Sequence, residues 1–264
     1  KMPANLSAGF RYESTDVTSE TLLPDVLRIG WVSANEFAIE RGNSVFFEGT
    51  GSYDYVLPSI DFNIEVSEDV VLRASASQTL TRTGYGNLIA GQRISEARVT
   101  GVTGQRGNPG LKPIESTNFD ISAEWYYEEG SYVSVGYFAK DVKNFVGTDY
   151  VNASPINITN PATGQRFIDA VNSLPDNLKN DNLAIRAAII AQNPNDPNID
   201  PENLATGEQA KIWGSSENDI VDVKFSQPVN QDSAALDGME FALQHMFGET
   251  GFGAVVNYTY VNGD

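Results

Sequence analysis

Between Asn118 and Tyr127 every second residue is apolar. Phe119, Ile121, Ala123, Trp125 and Tyr127 fall on one face of an extended strand, and Asn118, Asp120, Ser122, Glu124 and Tyr126 on the other. A period of two places one face in apolar surroundings and leaves the other to water or polar groups. Six further segments alternate in the same way: Leu6 to Tyr12, Ile60 to Val66, Val70 to Ala76, Val133 to Tyr137, Met239 to Phe247 and Phe252 to Tyr260. The connections between them constrain the fold more than the strands do. Three are tight, at Ser67-Glu68-Asp69, Glu128-Glu129-Gly130 and Gly248-Glu249-Thr250-Gly251, and read as hairpins. The others, 19–56, 81–114 and 147–232, are long, so short and long connections alternate along the chain.

Structureless loops beyond about fifteen residues are uncommon in compact domains. An outer-membrane barrel has them by construction, with short periplasmic turns and long extracellular loops. The expected fold is therefore all-β: about seven strands of a transmembrane antiparallel β-barrel spanning 1–264, with 147–232 as a long extracellular insertion. Both ends of the chain look like cuts through a larger protein, because seven strands alone would leave two unpaired edges in lipid.

Composition agrees. The mean hydropathy is −0.28, and no run of eighteen apolar residues is present to form a membrane helix. A net charge of −18 argues against a nucleic-acid partner. The absence of cysteine excludes disulfides and thiolate chemistry. Gly84-Tyr85-Gly86 and Gly101-Val102-Thr103-Gly104 do not lead from a strand into a helix, as a phosphate-binding loop must. No catalytic constellation is evident, and the expectation is a protein that is no enzyme and carries no cofactor or metal. Asp196-Pro197-Asn198-Ile199-Asp200-Pro201-Glu202 has oxygen ligands at alternate positions that could hold Ca²⁺, but lacks the EF-hand frame and reads better as a plain turn.

The two strand faces differ as a barrel requires. Arg11, Glu13, Asp61, Glu65, Arg73, Asp120, Glu124 and Glu240 fall on the face expected to line the lumen. Charge on the lipid face would cost about 2–4 kcal/mol at the midplane. Trp125, Tyr127, Phe247 and Phe252 lie beside short turns, where an aromatic girdle belongs, with Tyr258 and Tyr260 on the same lipid-facing side. His245 shares that face near the turn and reads as interfacial.

The stretch Gly107-Asn108-Pro109-Gly110-Leu111-Lys112-Pro113-Ile114-Glu115-Ser116-Thr117-Asn118, continued to Tyr127, resembles the GNPxLKPExSxNxxxGxE(W/Y)Y signature of TonB-dependent outer-membrane receptors. Other segments are similar to the same family in order: Ser52 to Asn63 ("YDxxLPSLNLx"), Val70 to Arg82 ("LVLRxAxSKTxTRP"), Tyr137 to Val146 ("LFYKDIKNFI"), Ala235 to Glu240, and Tyr258-Thr259-Tyr260-Val261. Thr83 stands where the family usually has proline. The resemblance implies a barrel of about 22 strands closed by an N-terminal plug. It also implies a bacterial outer-membrane location among lipid and lipopolysaccharide, a TonB partner, and uptake of a scarce small-molecule nutrient.

Specificity belongs to the loops. Segment 81–114 gathers Arg82, Arg93, Arg98, Arg106 and Lys112 against Glu96 alone before Pro113, with Tyr85 alongside. Such a patch suits an anionic ligand, a ferric siderophore or an acidic sugar, or else lipopolysaccharide phosphates or neighbouring acidic loops. Segment 147–232 should hold a helix over Leu183 to Ala191, capped by Asp181 or Asn182, and a second over Gln165 to Leu174, the pair forming a lid. Trp213 reads as an exposed platform for a stacked sugar or as an anchor for its loop. A lean towards carbohydrate over siderophore rests on the likeness to family members with large loops, many of which are linked to sugar uptake, with Trp213 as its only residue-level support. The rival readings are a passive or adhesive barrel and a soluble carbohydrate-binding sandwich.

Overall fold

The computed structural model describes residues 2–154, 158–202 and 208–263. Its elements in chain order are β1 (Ala4–Trp31), β2 (Phe37–Ser67), β3 (Val70–Thr81), β4 (Gln92–Arg98), β5 (Gly101–Arg106), β6 (Ile114–Glu128), β7 (Ser131–Lys143) and β8 (Phe145–Ala153). There follow α1 (Gly164–Ser173), α2 (Asn182–Gln192), β9 (Ile199–Asp200), β10 (Lys211–Trp213), β11 (Val223–Gln231), β12 (Ala234–Met246) and β13 (Gly253–Gly263).

The seven alternating segments become β1, β2, β3, β6, β7, β12 and β13, which lie side by side in that order, every pair antiparallel. Reading across the sheet gives its chemistry. One row runs Ala4, Ile64, Leu72, Ala123, Val135, Phe241, Tyr258, and the next in-phase row Leu6, Phe62, Ala74, Ile121, Tyr137, Met239, Tyr260. Both are wholly apolar. The intervening row is Asn5, Asn63, Arg73, Ser122, Gly136, Glu240, Thr259 on the opposite face. Trp125 and Glu124 therefore point to opposite sides, as alternation demands.

The strands are also inclined. In one row the chain takes 8 residues from Ile64 to Leu72, 12 from Ala123 to Val135 and 17 from Phe241 to Tyr258. The three short turns thus recede from the row by about 1.1 residues per strand. With a rise of about 3.3 Å and a strand spacing of about 4.8 Å, level turns require an inclination of about 38°. Membrane barrels have about 35–45°.

The long connections are folded, which differs from expectation. Segment 19–56 is no loop: β1 and β2 stay paired from Ala4↔Ile64 to Trp31↔Phe37, turning only at 32–36. The apolar alternation stops at Tyr12 and Val56, but Thr, Ser, Val and Tyr continue beyond it and sustain strand pairing in polar surroundings. Segment 81–114 contains the β4–β5 hairpin, and 147–232 opens as β8 and closes as β11. These four form a second sheet, β4-β5-β11-β8, in which β5 and β11 are parallel. Both expected helices are present, and Asp181 caps α2 by accepting from the N–H groups of Leu183 and Ala184.

The hydrophobic core lies in this distal module and not in the seven-stranded sheet. Trp31, Ile29, Ile185, Ile189, Ile212, Val223 and Phe225 are fully buried there, whereas Phe62, Ile121, Phe241 and Tyr258 of the sheet remain exposed. The helix pair packs onto the hairpin tip, with the Phe167 ring 6.3 Å from that of Trp31.

Candidate ligand-binding site

Three segments converge on the polar-face side of the β1–β2 hairpin. Arg82 Nη2 donates to Glu13 Oε2 at 2.6 Å and its Nε to Tyr53 Oη at 3.2 Å, fixing the start of the segment after β3. Thr83, in the place of the usual proline, accepts from Asn87 Nδ2 at 2.8 Å. Ala90 N donates to Ser19 Oγ at 2.9 Å. The Gly107–Pro113 turn then lies flat on β2, where Gly49 and Gly51 have no room for a Cβ: one at Gly51 would fall 2.2 Å from Pro109 O. Asn108 Nδ2 reaches Pro228 O at 3.1 Å. Asn230 both accepts from Lys112 N and donates to Lys112 O, each at 2.9 Å, and donates to Asn144 O at 3.0 Å. Asn144 itself takes φ 58°, a left-handed bend by which β7 hands the chain to β8.

This convergence encloses two adjoining pockets. The first, about 370 Å³, is lined by Arg93, Arg106, Asn87, Gln92, Gln105 and Gln227 among others, and no carboxylate contributes to it. Among the described residues neither arginine makes an ion pair. The second, about 710 Å³, is lined by Tyr85, Tyr53, Val17, Leu88, Leu111 and Arg82 among others. Thr21 and Ile89 belong to both.

Of the residues expected to bind ligand, Arg82, Tyr85, Arg93 and Arg106 are thus brought together, with Tyr85 at the rim and 90% exposed. Arg98 is elsewhere, at the end of the β4–β5 hairpin, paired with Glu96 at 2.6 Å. Trp213 requires a correction. It is 5% exposed, its Nε1 donates to Asp200 Oδ2 at 2.6 Å, and the Arg28 guanidinium lies 4.1 Å from the ring centroid. Pairing of β10 with Gly30 and Trp31 of β1 buries the indole against Gly30, so Trp213 anchors its loop and offers no stacking surface.

The Asp196 to Glu202 segment is a turn that runs into β9. Asp196 Oδ2 takes Arg166 Nη1 at 2.6 Å and Oδ1 takes Asn198 N at 2.8 Å. Burial alone would raise this carboxyl, but the Asn198 and Arg166 donors hold it below its ordinary value. Arg166, not foreseen in the sequence, also reaches Trp213 O at 3.0 Å and Asn218 Oδ1 at 3.2 Å. An arginine on a short polar helix carries no sequence mark of such a role.

On the sheet itself, Arg73 Nε pairs with Glu124 Oε1 at 3.0 Å, and Tyr126 Oη donates to Glu124 Oε2 at 2.7 Å. Arg11 pairs with Glu13 on the same polar face. Asp61 and Asp120 flank Ser75 in one polar row, and Glu240 lies in the neighbouring one. Beside the short turns the apolar face ends in an aromatic cluster. The Trp125 and Tyr127 rings are 5.2 Å apart, and His245 stacks on Tyr127 and meets Phe247 edge-on at 5.1 Å. Tyr127 Oη lies 3.0 Å from His245 Nδ1. Phe252, 74% exposed, belongs to the same end.

An inclined antiparallel sheet with one apolar face, short turns at one end and a folded module at the other is the wall of a transmembrane β-barrel. The chain belongs to the TonB dependent receptor-like β-barrel family, whose model matches residues 3–264. Members of this family are outer-membrane proteins. The fold sets aside the soluble sandwich.

No curated protein sequence matches the chain. Among solved structures it is similar to a mutant of the ferric enterobactin receptor PfeA from Pseudomonas aeruginosa, at 17% identity and TM-score 0.47, covering 83% of this chain and 24% of that one. It is similar to a double mutant of the hemophore receptor HasR from Serratia marcescens, in complex with its hemophore HasA and heme, at 13% identity and TM-score 0.48, covering 98% and 31%. It is also similar to the siderophore receptor PirA from Acinetobacter baumannii, at 14% identity and TM-score 0.47, covering 96% and 27%. The chain thus spans about a quarter of the length of the first of these.

Proposed function

We propose that the chain forms part of the wall and extracellular mouth of an outer-membrane receptor that captures a scarce anionic nutrient, such as a ferric chelate, and imports it with energy delivered through TonB. In this reading the apolar rows meet lipid, with Trp125, Tyr127, Phe247 and Phe252 at the periplasmic interface and Tyr258 and Tyr260 within the band. Arg11, Asp61, Arg73, Asp120, Glu124 and Glu240 line the lumen and face the plug.

The observation that carries the ligand class is a pocket whose lining includes Arg93 and Arg106, from opposite faces of the β4–β5 hairpin, and no carboxylate, in a chain of net charge −18. A basic lining suits carboxylates and other oxyanions. A preference for neutral sugar loses its residue-level support with the burial of Trp213. Contact with lipopolysaccharide is disfavoured as well, because Ser19, Thr21 and Leu23 at the pocket share the strand face of Arg11 and Glu13, away from the apolar face.

The test is uptake by cells carrying the full-length protein, with and without TonB, across a panel of ferric chelates, acidic sugars and neutral glycans. Accumulation of an anionic compound that requires TonB and weakens as salt rises is expected. Equal accumulation without TonB would indicate a passive barrel, and uptake confined to neutral glycans would overturn the ligand class.

A further inference from the structure

At the short-turn end, the apolar face of the sheet carries a polar group that lipid contact alone does not require. His245 follows Phe241 by four residues on the same face, about 10 Å nearer the turns on an inclined strand. Its Nδ1 lies 3.0 Å from Tyr127 Oη, and that hydroxyl is also 3.4 Å from Gln244 O. The hydroxyl can therefore donate to Nδ1, or accept from Nδ1 while donating to the carbonyl. The first arrangement leaves the proton of a neutral ring on Nε2, and the second suits a ring protonated on both nitrogens. In each, Nε2–H is a donor, and among the described residues nothing accepts from it. The turn beside it is acidic. Gln244 Nε2 donates to Gly130 O at 2.8 Å and Met246 N to Ser131 Oγ at 3.0 Å, seating the 128–130 turn against the end of β12. Glu128 and Glu129 lie in that turn and Glu249 in the next; all three are exposed, and none forms an ion pair among the described residues. Neither 125–139 nor 241–264 contains a lysine or an arginine.

We propose that the end of β12 and the two turns beside it bind an aminophospholipid of the periplasmic leaflet. Its phosphate accepts from His245 Nε2, its primary ammonium meets Glu128, Glu129 and Glu249, and its chains run up the apolar face past Trp125 and Phe241. Charge decides the headgroup. The unpaired carboxylates repel one that is only anionic, whereas a phosphate joined to an ammonium satisfies the imidazole donor and the carboxylates together. The aromatic cluster of Trp125, Tyr127 and Phe247 sets this group at the level where such rings meet headgroups. The site rests on the placement of the apolar face in lipid and not on import.

The experiment is native mass spectrometry of the purified full-length protein in nonionic detergent, stripped of lipid and titrated with phosphatidylethanolamine or phosphatidylglycerol of identical chains. The parent protein retains one more phosphatidylethanolamine than phosphatidylglycerol. H245F keeps a ring to stack on Tyr127 but has no donor, and weakens that lipid about fivefold, the scale of one lost hydrogen bond. E128Q/E129Q/E249Q lowers the preference over phosphatidylglycerol about threefold, as loss of exposed charge pairs requires. Millimolar inorganic phosphate does not displace the lipid. Heat-modifiable migration in electrophoresis shows that each variant is folded. Equal retention of the two lipids by the parent, unchanged binding by H245F, an unchanged preference in the glutamine variant, or displacement by free phosphate each overturns the site. Transport failing while this binding pattern holds would overturn the import reading alone.

Discussion

The most demanding prediction concerns Gly51. The Gly107–Pro113 turn has no regular secondary structure of its own to hold it, and it rests on β2 only because Gly49 and Gly51 leave the strand bare. A methyl group at Gly51 would sit 2.2 Å from Pro109 O, a backbone atom that no rotamer change can move. To restore ordinary contact the turn must retreat by about 1.2 Å, and overpacking of that kind costs about 1–3 kcal/mol. Retreat also stretches the Asn108–Pro228 bond and the paired Asn230–Lys112 bonds, each contributing about 0.5–1.5 kcal/mol. Gly51→Ala should therefore destabilise the distal module by about 2.5–7.5 kcal/mol if all three bonds are lost, while β6, β7 and β12, which contribute nothing to its core, stay folded. Hydrogen exchange on the full-length protein reads both at once: protection falls in β4, β5 and β11 and persists in β6, β7 and β12. Gly84→Ala, where an added Cβ meets nothing within 4 Å, is the silent control. A Gly51→Ala protein with unchanged protection in β11 would refute the claim that this contact seats the turn.

Removing Arg166 should loosen the helical part of the module, because its side chain joins Asp196, Trp213 and Asn218; Arg166→Met is expected to admit protease near 163–218 at temperatures the parent withstands. The depressed Asp196 carboxyl stabilises the module above its ordinary value of 3.8, and that contribution is lost as pH falls through the lower value it takes when folded. Asp196→Asn should therefore be weaker at neutral pH and lose part of the acid dependence, measured as proteolysis of the module against pH. Phe241→Lys, on the apolar face, should cost about 2–4 kcal/mol of barrel stability whereas Glu240→Lys is tolerated, as unfolding in urea would show. Protease added to intact cells should cut within 81–114 or 147–232 and spare 67–69, 128–130 and 248–251; cleavage at those turns would invert the topology.

The membrane sheet was legible because its constraint is one-dimensional. Each strand meets lipid on one side and a polar interior on the other, so Phe119 to Tyr127 declares its two faces without reference to any other segment. The extracellular module obeys no such rule. Its core joins Trp31, Ile185, Ile212 and Phe225 from four distant stretches, and apart from the helix that carries Ile185 none has a period that marks it. Hence 19–56 reads as a loop although it is strand, since Thr and Ser on both faces give no amphipathic signal once the lipid ends. Trp213 reads as either a platform or an anchor because an aromatic between turn residues looks the same in both cases until β10 is seen to pair with Gly30. The same reasoning explains which pocket-lining residues the sequence marked. Arg93 and Arg106 were marked by charge, a property local to each residue, against a chain that is otherwise acidic. The amides that line the same pocket, Asn87, Gln105 and Gln227, were not, because nothing local to an amide marks it as lining before folding sets it there. Gly49 and Gly51 belong with the second group: their meaning lies in the distance to Pro109, which no spacing within the sequence contains.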